Sequence, residues 1–191
     1  MKDKLLYTLT VFSENTVGVL SQIASIFTRR QLNIETLSVS PSALEGIHKF
    51  TITTWIESEI VVKKLIRQID KRVDILKAFY HTNDDLIYQE LALYKIKTER
   101  FLEPSLVEQI VRKHNAIILD ISEHATVIQK TGHHEDTQLL FEELSDEIGV
   151  LQFIRSGRVA ITKSKNERLS DILAEREAAY MQEQEKELSN F

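Results

Sequence analysis

The spacing of apolar residues in the N-terminal half of the chain changes repeatedly between the periods of a strand and a helix. This alternation limits the possible folds more than any other feature of the sequence. From Leu5 to Val11, apolar residues alternate with more polar ones, which predicts a strand with one buried face. Helical spacing follows from Val19 to Phe27, and Arg29-Arg30 would complement the dipole of its last turn. Asn33 to Ser40 then predicts a second strand.

The same alternation continues through the rest of this half. Residues His48–Glu57 predict a third strand, Ile60–Ile69 an amphipathic helix, and Val73–Phe79 a fourth strand. The order strand, helix, strand, strand, helix, strand is the ferredoxin-like βαββαβ arrangement, in which one face of a sheet carries two helices. We therefore predict an α+β fold.

The second half repeats this order with little sequence identity, at a spacing of about 85 residues. Its predicted elements are a strand at Tyr88–Lys97, a helix around Leu106–Val111, strands at Ala116–Ser122 and Thr126–Lys130, a helix around Leu139–Ile148, and a strand at Leu151–Thr162 interrupted at Arg155-Ser156-Gly157. The chain thus divides into two tandem units, residues 1–81 and 82–163. For the charged tail, residues 164–191, we predict a helix docked at its start.

Composition argues against several classes of function. The chain has no cysteine, which excludes thiolate nucleophiles and disulfides, as well as zinc or iron–sulfur sites held by cysteine. A net charge of −5 and an aromatic content of 7% give no support for a nucleic-acid partner. No apolar run approaches the ~20 residues of a membrane span, and the first residues show no apolar core or cleavage site of the signal-peptide kind, so we expect no signal peptide. We expect no membrane association and a cytoplasmic location.

No catalytic constellation is visible in the sequence. The chain has neither a Gly-x-Ser-x-Gly motif nor a glycine-rich phosphate loop. The pair His133-His134 lies at a turn into a helix, where two adjacent imidazoles rarely converge on one metal ion. His81, Asp84 and Asp85 form a weak candidate for a metal site. We favour the alternative that they are polar residues of a loop between the two units. We predict no metal site and no catalytic residue.

The turn Glu14-Asn15-Thr16-Val17-Gly18 stands out, because it precedes a helix. The N–H groups and the dipole at a helix start attract an anion, and Gly18 permits a close backbone approach. The carboxylate of an amino acid would suit these N–H groups, and its ammonium group the oxygens of Asn15 and of Asn33, which we expect at the same end of the unit. The alternative is structural: Asn15 caps the turn, and Gly18 relieves a tight bend. The residues alone leave both readings open.

Two runs in the first unit resemble the motifs of a known family. Val11–Leu20 matches V-x-x-E-N-x-x-G-V/A-L, and Phe27–Leu37 matches F-x-x-R-G/x-x-N-I-E-S-L. Both are typical of the ACT domain that opens the small regulatory subunits of acetolactate synthase (acetohydroxyacid synthase), and the resemblance extends over about residues 1–163. Gln31 replaces a common glycine, and Val17 a common proline or serine.

The resemblance implies a non-catalytic subunit that activates a thiamine-diphosphate catalytic (large) subunit and confers feedback inhibition by valine, leucine or isoleucine. It implies a homodimer paired through ACT domains, with the amino acid bound where two protomers meet. The second unit is expected to contribute to activation. The matching motif positions give the implied effector contacts: Asn15, Gly18, Val19, Leu20, Asn33 and Ile34. Thiamine diphosphate, magnesium and FAD are expected only on the catalytic subunit.

Two other classes of protein fit the predicted fold. One is a free-standing amino-acid sensor made of ACT-like units with a different client enzyme. The other is a ferredoxin-like RNA-binding module, whose sheet would display aromatic residues within a basic surround. The sequence leaves open the preferred amino acid, the subunit stoichiometry, the docking surface, the role of the tail and any metal at the dimer contact.

Overall fold

The computed structural model describes residues 4–101, 106–163 and 173–174. Their contacts divide them into two units, one running to Ile87 and resuming at Ile161, the other comprising Tyr88–Ala160. The elements of the first unit are β1 (Leu5–Glu14), α1 (Val19–Arg29), β2 (Thr36–Pro41), β3 (Ile47–Ile56), α2 (Glu59–Asp70) and β4 (Ile75–His81). They form a four-stranded antiparallel sheet in the order β2-β3-β1-β4.

The core of the first unit lies between one face of this sheet and the two helices. Alternate residues of β1 supply Tyr7, Leu9 and Val11, and α1 and α2 supply the apolar stripes predicted from their helical spacing. Burying each large side chain contributes about 1.5–3 kcal/mol, which fixes both helices on this face. Leu20 departs from the predicted stripe and is 46% exposed at the start of α1.

The opposite face of the first sheet is also buried at its centre, where Thr8, Thr10, Thr51 and Thr53 lie. Beside these threonines, Phe12 and Leu76 form a small cluster against which Leu173 packs. Residues 173 and 174 are helical. The other residues of the predicted C-terminal tail, 164–172 and 175–191, lie outside the described part of the chain.

The second unit repeats the first. Its elements are β5 (Leu86–Lys97), α3 (Thr98–Phe101), α4 (Leu106–Lys113), β6 (Ile117–Ile121), β7 (Ala125–Gly132), α5 (His134–Glu147) and β8 (Gln152–Thr162). The sheet order is β6-β7-β5-β8, the same permutation as in the first unit. Ala92, Tyr94 and Ile96 of β5 pack against the helices as their counterparts in β1 do. The predicted tandem of α+β, ferredoxin-like βαββαβ units is confirmed.

Several predicted boundaries were wrong by a few residues. β2 begins at Thr36 rather than Asn33. The chain first makes a left-handed turn at Gln31 (φ 54°) after α1, and its first backbone hydrogen bond to β3 is from the Glu35 N–H to the Thr53 carbonyl. Val73 is 89% exposed and precedes β4. β8 runs without interruption through Arg155-Ser156-Gly157, where the Ser156 hydroxyl accepts the Leu91 N–H. Within the described ranges, no helix is long and apolar enough to cross a membrane.

Candidate functional site

The turn between β1 and α1 is exposed from Glu14 to Gly18, yet neighbouring backbone holds it in place. The Glu14 N–H donates to the Asp74 carbonyl over 3.0 Å, and the Asn15 N–H donates to the Gly46 carbonyl over 2.8 Å. The side chain of Asn15 has no hydrogen-bond partner among the described residues, and no side chain caps α1. The structure therefore does not support the reading in which the Asn15 side chain is a cap.

Gly18 occupies the N-cap position of α1 with φ 94°. Residues other than glycine adopt this left-handed backbone conformation only at a cost in free energy. A Cβ atom added at this residue would meet nothing within 4 Å. Glycine is thus needed here for its backbone angle and not to avoid a clash. The space above the turn is open to a ligand.

The first turn of α1 presents N–H groups that the helix itself cannot pair. It contains no acidic residue that would neutralise the positive end of the dipole. Val19 is 3% exposed, so it offers a ligand chiefly its backbone, whereas the Leu20 side chain is accessible. This end of the unit therefore combines an anion-binding helix start with one free amide, Asn15, and one apolar side chain.

Asn33 and Ile34 lie in the loop that leads from α1 to β2. The Asn33 carbonyl accepts the Thr54 hydroxyl over 2.7 Å, while its side chain is exposed and makes no hydrogen bond within the residues described. Ile34 is partly buried against the core of the unit. The loop is fixed by its backbone, which leaves the amide of Asn33 available.

These two groups of residues lie at opposite ends of the sheet. β3 pairs Ile47 with Glu14, the residue before Asn15, and pairs Thr54, which contacts Asn33, with Tyr7. Positions 47 and 54 of a strand are separated by about 23 Å. The prediction that Asn33 lies at the same end as Asn15 was wrong. Both β1 and β2 run antiparallel to β3, so the start of β2 lies beside the start of β1.

The weak metal candidates have other partners. The Asp85 carboxylate accepts the N–H and the hydroxyl of Thr82 over 3.0 and 2.7 Å, and these hydrogen bonds lower the pKa of Asp85. His133 packs edge-on against Tyr88, whereas His134 lies 3.2 Å from Arg155. No group of three histidine or carboxylate side chains in the described ranges is arranged to hold a metal ion.

A polar cluster in the second unit surrounds Arg155, part of the Arg-Ser-Gly run in β8. The Arg155 Nε atom lies 3.2 Å from Glu90 Oε1, and its terminal nitrogen donates to Gln138 over 2.7 Å. Glu90 is 8% exposed and also accepts the hydroxyl of Thr137 from α5. The sequence did not reveal this cluster, because its members are separated in the chain and meet only when α5 packs on the sheet. These polar contacts hold α5 against strands β5 and β8.

Comparison with known families identifies both units. Residues 9–77 match the model of an AHAS small subunit-like ACT domain, and residues 89–164 match the model described as the small subunit of acetolactate synthase. All six predicted contact residues, from Asn15 to Ile34, fall within the first of these ranges.

Similar proteins of known name are also small subunits of acetolactate synthase. The chain is 30% identical to the acetolactate synthase small subunit of Bacillus subtilis, over 87% of this chain and 95% of that protein. It is 29% identical to the small subunit of Mycobacterium leprae, over 82% and 91%. The crystal structure of the acetolactate synthase small subunit from Thermotoga maritima superposes with a TM-score of 0.74 at 22% identity, covering 84% and 98% of the two chains, and thus has the same fold.

Proposed function

Because the chain belongs to the family of acetolactate synthase small subunits, we propose that it is a non-catalytic regulatory subunit of this enzyme. In this role it docks on the catalytic large subunit, raises its activity, and confers feedback inhibition by a branched-chain amino acid such as valine. The second unit contributes to activation, and the protein acts in the cytoplasm. Thiamine diphosphate, magnesium and FAD belong to the catalytic subunit.

The observation that carries the regulatory proposal is the open, uncapped turn at the start of α1. An amino acid placed there would have its carboxylate at the N–H groups after Gly18, where the helix dipole favours an anion. The Asn15 amide oxygen is free to accept the ammonium group, and Leu20 offers apolar contact. The site matches the family motif and has the polarity that a zwitterion needs.

The distance between Asn15 and Asn33 supports an effector site shared by two copies of the chain. One amino acid spans far less than the ~23 Å that separates the two ends of the sheet. If both asparagines contact the same effector, Asn33 must come from a second protomer whose α1 lies antiparallel to the first. A two-fold dimer then forms two equivalent sites. The effector changes activity by favouring one arrangement of this dimer over another.

The test is reconstitution with the purified catalytic subunit, followed by activity assays with and without valine, leucine or isoleucine. We expect activation by the wild-type chain and inhibition by at least one of the three. Asn33→Ala and Asn15→Ala should each weaken inhibition about tenfold or more, because a buried polar group of the effector loses its partner. Activation should persist in both variants.

The matched control is Gln89→Ala, which removes an exposed amide from the second unit and should leave inhibition unchanged. A chain that neither binds nor activates the catalytic subunit would contradict the regulatory role and favour a sensor with another client. Full sensitivity in both asparagine variants would instead contradict only the assignment of the effector contacts.

A further inference from the structure

A second concave surface lies in the first unit, away from the turn at Gly18. Its volume is about 610 Å³, within the range typical of small-molecule sites. The cleft is formed where β1 begins, β4 ends and α2 begins, and its lining includes Leu5, Tyr7, Ser58, Glu59, Tyr80 and Asp85. None of the predicted effector contacts lines it.

Tyr7 gives this cleft an unusual polar group. The residue is only 3% exposed, and its ring packs against that of Tyr80 with centroids 6.1 Å apart. Its hydroxyl has no hydrogen-bond partner among residues 4–101, 106–163 and 173–174. It is not one of the fully enclosed polar atoms that lack a partner, so it reaches the open space of the cleft, whereas the Tyr94 hydroxyl is buried and donates to the Thr137 carbonyl over 2.7 Å. The cleft therefore contains a hydroxyl that a ligand can pair.

The lining of the cleft contains two carboxylates, those of Glu59 and Asp85, and one imidazole, that of His81, while Lys163 acts on Asp85 from nearby. The carboxylates are the groups that favour a cation. Hydrogen bonds donated by Lys63 and Tyr80 lower the pKa of Glu59, and hydrogen bonds donated by Thr82 lower the pKa of Asp85. Both are therefore ionised at neutral pH. Lys63 pairs with Glu59 over 2.8 Å but does not itself line the cleft. A carboxylate has about four acceptor positions, so each retains capacity for another donor.

The form of the cation follows from the other lining groups. The described residues contain no cluster suited to a metal ion. The walls instead contain two tyrosine rings and Leu5, which suit an alkyl group and attract an ammonium through the ring faces. An ammonium group has three N–H donors. These match three of the acceptor groups in the lining, namely the Tyr7 hydroxyl and the carboxylates of Glu59 and Asp85.

We propose that this cleft binds a small alkylammonium compound, with its ammonium group at Tyr7, Glu59 and Asp85 and its apolar part against Leu5 and Tyr80. The site is separate from the predicted effector contacts. Its occupancy can therefore be measured on the full chain without the catalytic subunit, whatever the regulatory role proves to be.

The experiment is an NMR titration of the full-length chain with isobutylammonium chloride, compared with sodium isobutyrate, which has a similar carbon skeleton and the opposite charge. We expect saturable shifts at residues lining the cleft with the amine and none with the carboxylate. Tyr7→Phe should weaken binding about 3- to 10-fold by removing one hydrogen bond. Glu59→Gln should weaken it only about threefold, because the charge it removes is exposed to solvent.

Two control variants test whether these effects belong to the cleft. Tyr94→Phe removes a hydroxyl from the second unit, and Glu57→Gln removes an exposed carboxylate just outside the lining. Both should bind the amine as the wild type does. Non-saturable shifts, equal binding of isobutyrate, or wild-type affinity in both Tyr7→Phe and Glu59→Gln would each overturn the proposal. The wild-type titration alone decides it if a variant fails to fold.

Discussion

At the residue scale, the backbone conformation of Gly18 shapes the candidate effector site at the start of α1. Its φ of 94° lets the chain leave β1 and enter α1 without a side chain over the helix start. The sequence suggested both a ligand role and a purely conformational role for this glycine. The open space around it shows that the two are compatible, because the conformation itself exposes the N–H groups.

We predict that Gly18→Ala destabilises the protein by about 1 kcal/mol and abolishes or strongly weakens effector inhibition. The stability loss comes from forcing a Cβ into a left-handed conformation. Gly149→Ala is the matched control, since Gly149 also has a positive φ, 89°, with nothing within 4 Å of an added Cβ. Urea unfolding should give similar losses for both variants, whereas inhibition should change only in Gly18→Ala. Equal inhibition in both would contradict a role for Gly18 in the effector site.

A left-handed residue follows the first long helix in both units, at Gln31 and at Asn115. Both have positive φ, 54° and 49°, and both follow the C-terminal end of a helix, α1 or α4. The next residue in each case donates its N–H back into the helix, Leu32 to Phe27 and Ala116 to Val111. Such left-handed ends usually carry glycine. This explains why the family motif has glycine at the position of Gln31, which adopts the same backbone conformation at a cost.

At the scale of elements, α4 and α5 of the second unit are joined by a charged contact. Glu143 of α5 lies 2.7 Å from the His114 ring and 2.7 Å from the Lys113 ammonium, both at the end of α4. The hydrogen bond from His114 and, to a smaller extent, that from Lys113 lower the pKa of Glu143 below its usual value. The contact therefore stabilises the folded state only while Glu143 is ionised.

This gives a prediction for the pH dependence of stability. Because the pKa of Glu143 is lower in the folded state, its contribution is complete above the unfolded pKa of about 4.3 and is lost as the pH falls through the folded value. Glu143→Gln should lower stability at pH 7 by about 0.5–1 kcal/mol, the scale of a partly exposed pair. The difference from wild type should shrink below about pH 4. Thermal unfolding across this range measures it.

Glu142 provides the control for this contact. It lies beside Glu143 on α5 and is exposed, and among the described residues it accepts a hydrogen bond only from the side chain of Gln138 on its own helix. Glu142→Gln should therefore change stability little and without a pH trend. A pH-independent loss in Glu143→Gln would show that the helix contact does not depend on its charge.

At the scale of the whole molecule, the two units have the same strand order and separate cores, yet only the first contains the motif residues of the candidate effector site. Those residues divide into two groups at opposite ends of one sheet. If both groups contact the effector as proposed, a single copy of the first unit holds two half-sites, and two-fold symmetry would complete each of them.

Mixing two variants with weakened effector binding tests this geometry. Asn15→Ala and Asn33→Ala chains, each about tenfold or more less sensitive to the effector alone, should regain partial sensitivity when unfolded together and refolded as a mixture. In a mixed dimer one site carries both substitutions and the other carries none, so about a quarter of all sites should be intact at equal mixing. Effector binding by calorimetry measures this fraction. Mixtures without any site of wild-type affinity would contradict a site shared between copies.

The sequence by itself determined the number, type and order of the main elements, because burial of one face imposes a period of two on strands and 3.6 on helices. The turn that ends at Gly18 and the family motifs were equally visible, since each depends on residues adjacent in the chain. Tertiary structure alone decided where β2 begins, which residues meet Arg155, and that Tyr7 has a free hydroxyl in a cleft. It also separated Asn15 from Asn33, eighteen positions apart in the chain, by placing them at opposite ends of β3. Such relations depend on strand direction and register, which are set by packing between distant segments and leave no local pattern in the sequence.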